Sequence, residues 1–171
     1  MDATAPHIFV ALETSGLGQA IRQSVWVYPA ANIGHVVSVV AFFAAVAVLD
    51  LALLGVLDGG PVLANRARRA AMALFAGVAL SGFVLFTAEA SHLVLNRVFL
   101  IKLAIIGLAL GNALLLGRPA IAALVTTVTP ATTGRLATTG NRISGLARLT
   151  GAVSLALWLV VIALGRLIAY L

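Results

Sequence analysis

The chain has 171 residues, of which 62% are hydrophobic and 9% are charged, and its mean hydropathy is +1.13. A soluble domain carries about 25% charged residues, so this composition predicts an integral membrane protein. The chain has no cysteine, which excludes disulfides, thiolate metal sites and cysteine nucleophiles. The net charge of +6 does not indicate a nucleic-acid partner, because basic loop residues orient the helices of a membrane protein.

The N-terminal residues 7–27 place apolar side chains near helical spacing, although Gly16 and Gly18 weaken the pattern. We expect this segment to form a short helix lying in the membrane interface. Trp26 and Tyr28 follow, and aromatic rings with a polar group prefer the level of the headgroups. Pro29 is expected to separate the interfacial helix from the first membrane span.

Four segments contain the roughly 20 mostly apolar residues that a helix needs to cross a bilayer. They are residues 31–55, 70–94, 98–117 and 149–171. Their backbones must satisfy their own hydrogen bonds in lipid, so we predict helices and not strands. The whole chain, residues 1–171, is therefore predicted to be a single all-α domain, a transmembrane four-helix bundle in a lipid bilayer.

Small residues recur along three of these spans at helix-packing intervals. They are Gly34, Ser38, Ala41 and Ala45 in the first span, Gly77 and Ser81 in the second, and Ala104, Gly107 and Gly111 in the third. Such stripes let helices approach closely within a membrane. They predict packing inside the bundle, or equally contact with other membrane protein subunits or with a second copy in a homo-oligomer.

The basic residues are divided unevenly between the two ends of the predicted bundle. One end carries Arg66, Arg68, Arg69, Arg118, Arg135, Arg142 and Arg148. The other end carries Arg22, Arg97, Lys102 and Arg166. Loops rich in Lys and Arg face the cytoplasm, which predicts a multi-pass protein of the bacterial inner membrane with both termini in the periplasm.

With this topology, polar side chains from all four spans reach the same leaflet. They are His35, Glu89, His92, Lys102, Arg166 and Tyr170. Ionisable groups inside a membrane are costly, so their convergence is a functional hypothesis by default. Structural alternatives exist for most of them: Lys102 can extend to the headgroups, His92 can lie in a loop, and Glu89 can pair with Lys102, Arg97 or Arg166. A further polar residue, Asn112, is a candidate for a helix–helix hydrogen bond.

His35 lies in an apolar stretch, and an imidazole is too short to reach the headgroups from there. A neutral ring needs both a donor and an acceptor partner, which a packed, hydrogen-bonded histidine would find within the bundle. The alternative is that His35 is an axial ligand of a haem held between the helices. His92 would then be the second metal ligand, or Lys102 in its neutral form. The chain has no CxxCH motif, so such a haem would be a non-covalent haem b.

Four stretches of the chain resemble an uncharacterised family of small bacterial four-helix integral membrane proteins. They are "SVWVYPAANIGHVV", "LDLALLG", "NRVFLIKLAIIGLALGNALL" and "GRLIAY". The chain departs from that family at Asn96–Arg97, where the family has Asn-Pro, and keeps only Asp50 of two charged positions around "DL". The family is distantly similar to the CopD and HemJ membrane proteins. HemJ-type protoporphyrinogen oxidases bind haem b and use a histidine and a lysine, which this resemblance places at His35 and Lys102.

These observations lead to three expectations of function. The first is a haem-b-binding, cytochrome-like electron-transfer subunit with its site near the periplasmic leaflet, with His35, Lys102 and His92 as candidate ligands. The second is a cofactor-free accessory subunit that docks on a larger respiratory or photosynthetic membrane complex. The third, implied by the HemJ resemblance alone, is porphyrin oxidation. No catalytic residue is predicted, and a non-catalytic role is favoured.

Overall fold

The computed structural model describes residues 5–124 and 144–170. Within these residues the secondary structure is helical and contains no strand, which confirms the all-α prediction. The helices are α1 (His7–Thr14), α2 (Gly16–Gln23), α3 (Val27–Leu54), α4 (Gly60–Ala88), α5 (Ala90–Leu93), α6 (Arg97–Leu115), α7 (Gly117–Ala122) and α8 (Gly145–Leu167). A 3₁₀ turn, Ile168–Tyr170, follows α8.

Four of these helices, α3, α4, α6 and α8, are long and apolar enough to cross a membrane, with mean hydropathies of 2.0 to 2.6. They correspond in order to the four predicted spans. The polypeptide is therefore a multi-pass helical membrane protein. The remaining helices are short and lie before, between or after the spans.

The N-terminal segment differs in detail from the single interfacial helix predicted for residues 7–27. It forms two helices, because Ser15 interrupts α1 and caps α2 through a hydrogen bond from the Gly18 amide of 3.2 Å. The expected break at Pro29 is wrong. The break lies at Ser24, whose hydroxyl accepts from the Val27 amide at 3.1 Å, and Pro29 sits in the first turn of α3. A proline is tolerated there because the first N–H groups of a helix have no intrahelical partner.

The second span begins ten residues before the predicted position 70, at Gly60. Gly55, with φ of 82°, ends α3 in the left-handed conformation that favours glycine, and Pro61 then lies in the first turn of α4. Arg66, Arg68 and Arg69 are consequently on the first turns of a helix and not in a loop. At its other end, α4 stops at Ala88 instead of continuing to 94.

The third and fourth spans begin at side-chain caps. Asn96 accepts hydrogen bonds from the Val98 and Phe99 amides at 2.9 and 3.2 Å, so α6 starts at Arg97 rather than 98. Ser144 caps α8 through the Ala147 amide at 3.2 Å, and α8 therefore starts before the predicted position 149. The last residues predicted for this span, Ile168–Tyr170, form the 3₁₀ turn instead.

The four spans lie side by side in the order α4, α3, α8, α6. Buried side chains of all four form one apolar core. At its centre Phe42 of α3 meets Trp158 of α8 edge to face, with 4.6 Å between ring centroids, and Phe75 of α4 packs on Phe42 at 5.5 Å. The backbones of α4 and α6 do not approach each other as closely as those of the packed pairs α3–α4, α3–α8 and α6–α8 do. They meet through large side chains such as the stacked rings of Phe86 and Phe99.

The small-residue stripes differ in whether they pack against another helix. On α3 and α4 part of the stripes packs the bundle: a Cβ added at Gly77 would lie 3.3 Å from the Ser38 hydroxyl, whereas a Cβ at Gly34 would meet no atom within 4 Å. On α6 the stripe is not packed, because a Cβ at Gly107 or Gly111 would meet no atom within 4 Å. That stripe therefore lies on the outer surface of the described structure. Two arginines used above to orient the bundle, Arg135 and Arg142, lie outside the described residues.

Candidate functional site

The two ends of the bundle are set by helix pairing. His35 of α3 meets Ser81 of α4, and Lys102 of α6 meets Gly165 of α8. These pairs show that α3 and α6 begin where α4 and α8 end. We call this the histidine end of the bundle, and the opposite end, which carries Arg66, the arginine end.

His35 lies at the contact between α3 and α4, about 12 Å along α3 at 1.5 Å per residue. Its Nδ1 is 3.0 Å from the Ser81 hydroxyl oxygen, and that hydroxyl donates its single proton to the Gly77 carbonyl at 2.6 Å. With that hydroxyl proton engaged, the ring donates to Ser81 in the tautomer that carries its proton on Nδ1, and the Val78 carbonyl is a further acceptor beside the ring. In this tautomer Nε2 is the unprotonated nitrogen. A Cβ at Gly82 would lie 3.1 Å from the ring, so the glycine makes room for the imidazole.

Lys102 is half-buried and faces the bundle. A Cβ at Gly165 of α8 would lie 3.2 Å from its Nζ, and the exposed glycine stripe of α6 occupies the opposite face of that helix. Among residues 5–124 and 144–170, the amine has no hydrogen-bond or ion-pair partner. Its charge acts electrostatically on the His35 ring. The structure thus places two of the three predicted ligand residues inside the bundle at the histidine end, His35 at the α3–α4 contact and Lys102 at the α6–α8 contact.

His92, the third predicted ligand, lies elsewhere. It is exposed on the short helix α5 and lines an open cavity of about 470 Å³ together with Glu13, Arg22 and Glu89. Neither His35 nor Lys102 lines this cavity. The polar groups predicted to share one leaflet therefore separate into a pair inside the bundle and a surface group above it.

A polar network holds the N-terminal helices over the histidine end. Glu13 of α1 pairs with Arg22 of α2 and accepts hydrogen bonds from the Ser91 hydroxyl and, at 2.8 Å, from the Ser91 amide. Arg22 donates to the Ala88 carbonyl at 2.7 and 3.1 Å, which satisfies the last carbonyl of α4. The Ser91 bonds, assisted by Arg22, lower the pKa of Glu13 from 4.5 to about 2. No pattern in the sequence predicts this network, because its members lie on four separate segments.

The ion pairs expected for Glu89 are wrong. Its carboxylate accepts from the Tyr28 hydroxyl at 2.9 Å, and the ion pair found in the described part of the chain is Glu13–Arg22. Arg166 instead donates to the Tyr170 hydroxyl at 2.5 Å and lies over its ring at 4.8 Å. Both residues are on the surface, so they do not belong to the pair inside the bundle.

A second polar cluster lies toward the arginine end and was missed by the sequence reasoning. It contains the buried Asp50 of α3 and two buried hydroxyl residues of α8, Thr150 and Ser154, of which Ser154 hydrogen-bonds to the carboxyl group. Asn112 of α6 donates to the Thr150 carbonyl at 3.2 Å, which confirms the predicted helix–helix hydrogen bond. The available signal was the spacing of Thr150 and Ser154, which puts both on one face of α8.

The fold and these sites define a class: a multi-pass helical-bundle membrane protein with a polar site near each end. Comparison of the chain with protein-family models, with curated proteins and with solved structures found no match. In residues 5–124 and 144–170 there is no group of three histidines or carboxylates that would hold a metal ion. A ligand at the histidine end would therefore rely on His35 and Lys102.

Proposed function

We propose that this chain is a haem-b-binding integral membrane protein that serves as an electron-transfer subunit, with His35 as one of the residues that would hold the haem. The observation that carries the proposal is the hydrogen bond from Nδ1 to Ser81. Metal-binding histidines usually donate their second ring nitrogen to an oxygen acceptor, which fixes the tautomer and the ring orientation. With the proton on Nδ1, the same arrangement would leave Nε2 to hold the haem.

The residues around His35 fit a haem ligand in two further respects. Lys102 supplies a second nitrogen donor without a partner in the described structure, on the same leaflet as His35. Gly82 beside the ring and Gly165 beside the amine keep Cβ atoms away from both groups. A bound haem b would supply one-electron redox chemistry. The chain would hold it, orient the imidazole through Ser81 and exclude water with the apolar core.

The test is a visible absorption spectrum of the full chain, purified in detergent after expression with a haem precursor. We expect a Soret band and a reducible α band that are lost in His35→Ala and kept in the matched control His92→Ala. Ser81→Ala removes only the positioning bond, so haem affinity should fall by about 10- to 100-fold and the midpoint potential should shift. A folded, colourless wild-type protein would refute the proposal.

A second candidate function is a cofactor-free accessory subunit. One observation favours it: the His35–Ser81 bond already joins α3 to α4, so the histidine has a structural role without any ligand. Such a subunit would copurify with a larger membrane complex or with a second copy of itself. In that case His35→Ala would lower the stability of the bundle, and no spectrum would change.

We further propose that the protein lies in a bacterial inner membrane with the histidine end at the periplasm. Support comes from the basic residues that the structure describes at the arginine end, which include Arg66, Arg69 and Arg148. The natural chain has no cysteine, so a single introduced one can be labelled selectively. A membrane-impermeant thiol reagent should label Ser24→Cys in intact cells whose outer membrane is permeabilised, and should not label Asp58→Cys. The reverse pattern would invert the orientation.

A further inference from the structure

One carboxyl group of the bundle is buried without a positively charged partner in the described structure. Asp50 is 1% exposed, and its Oδ2 atom has no hydrogen-bond partner among the residues the structure describes. No lysine or arginine of this part of the chain pairs with it, because the ion pair there is Glu13–Arg22. A buried carboxylate without a counter-charge is strongly unfavourable, above all inside a membrane. Asp50 therefore requires a positive partner or a proton.

A second unsatisfied oxygen lies on the helix that packs against Asp50. Thr150 is 3% exposed, and its hydroxyl also lacks a partner in the described structure. The next residue, Gly151, brings the two helices together: a Cβ there would lie 2.9 Å from the Asp50 carbonyl oxygen. Ser154, one turn further along α8, hydrogen-bonds to the Asp50 carboxyl. The residues that carry the two unsatisfied atoms thus lie on facing helices at the α3–α8 contact.

We propose that Asp50, Thr150 and Ser154 form a binding site for one monovalent metal cation of the sodium type. The side-chain donors are all oxygens, which hard cations prefer. One carboxylate balances one positive charge, and no second carboxylate lies nearby to hold a divalent ion in the part of the chain that is described. A proton would neutralise Asp50 and could satisfy one neighbouring oxygen through a single hydrogen bond. A metal cation would coordinate several oxygens at once.

The site is held by a contact that does not involve the cation. Asn112 of α6 donates to the Thr150 carbonyl and so fixes the turn of α8 that carries the hydroxyl. Three helices, α3, α6 and α8, therefore meet at this point. A ligand that binds here would tie α3 to α8 and would stabilise the folded state by mass action. This inference is independent of the proposed haem site, which lies at the other end of α3.

The experiment is thermal unfolding of the full chain in detergent across a series of NaCl concentrations, with choline chloride keeping the ionic strength constant. We expect the Tm of the wild type to rise with Na⁺. Asp50→Asn, which keeps the shape of the side chain and removes its charge, should abolish that dependence. Asp58→Asn is the matched control, since Asp58 is exposed in the turn after α3, and it should retain the full dependence.

A second variant keeps the test decisive if Asp50→Asn does not fold. Thr150→Val removes one oxygen at nearly constant volume and should raise the half-saturating Na⁺ concentration by about 10-fold. A wild-type Tm that is equal in Na⁺ and choline would overturn the proposal, as would an unchanged half-saturation in Thr150→Val. His35→Ala should keep the Na⁺ dependence whether or not haem is bound, so the two proposals fail separately.

Discussion

The docking of the N-terminal helices depends on one carboxylate, and Glu13→Gln tests it. The carboxylate is 12% exposed and receives two hydrogen bonds from Ser91 and one from Arg22. Glutamine keeps an acceptor oxygen but loses the charge, which makes each bond weaker. Arg22 is 51% exposed, so solvent screens its share of the interaction. We expect α1 and α2 to lose about 1–2 kcal/mol of docking free energy.

Hydrogen exchange followed by mass spectrometry measures this loss locally. Opening of the segment should become about 5- to 30-fold more frequent, so amides of Gly16–Gln23 should exchange faster by that factor while those of α3 do not change. Asp58→Asn changes a carboxylate at the opposite end and should leave the N-terminal rates alone. Equal protection in Glu13→Gln and wild type would show that the network does not hold these helices.

The same carboxylate makes the docking sensitive to pH. Its pKa is lowered on folding from 4.5 to about 2, because Ser91 and Arg22 favour the charged form. Such a group contributes its full stabilisation above the unfolded pKa and loses it as the pH falls through the folded pKa. Protection of α2, corrected for the intrinsic pH dependence of exchange, should therefore decline from about pH 4.5 to about pH 2. Glu13→Gln should show no decline that this group explains.

Three further predictions concern packing and are read from unfolding in detergent. Gly151→Ala should cost about 1–3 kcal/mol, because its Cβ would lie 2.9 Å from the Asp50 carbonyl, whereas Gly107→Ala on the open face of α6 should change stability by about 0.5 kcal/mol or less. Trp158→Ala should cost about 3–5 kcal/mol, since the ring is 5% exposed at the centre of the core. Asn112→Leu should cost about 0.6 kcal/mol, typical of one hydrogen bond between membrane helices.

The spans were predictable because hydropathy alone separates four apolar helices from the rest of the chain. The first and last residues of each span were harder to predict, since they depend on local capping. Pro29 and Pro61 each look like helix breaks in the sequence, yet both occupy a first turn, where proline needs no partner for its missing N–H. The start of α4 before Arg66 follows from this, and it moves three arginines from a loop onto a helix.

The candidate site was predictable only in part, because it depends on which helices are neighbours. Residue depth placed His35 and Lys102 in one leaflet, but it did not reveal that Ser81 of α4 binds the imidazole. The sequence left open whether Lys102 extends to the headgroups or faces the bundle. In the structure it faces the bundle, because its amine lies beside Gly165 and the glycine stripe on the opposite face of α6 is unpacked. No partner for Asp50 could be predicted for the same reason, because the sequence does not reveal that α3 packs on α8.

The two polar sites share helix α3 and are separated by an apolar core. His35 and Asp50 lie about 22 Å apart along α3, and the contact between them is filled by Phe42, Trp158 and Val161. A cation would have to leave its oxygen ligands to cross these side chains, which is costly in an apolar interior. Ions bound at Asp50 should therefore exchange through the arginine end. Because sites more than about 10 Å apart without shared partners usually act additively, the His35 and Asp50 substitutions should add in their effects on stability.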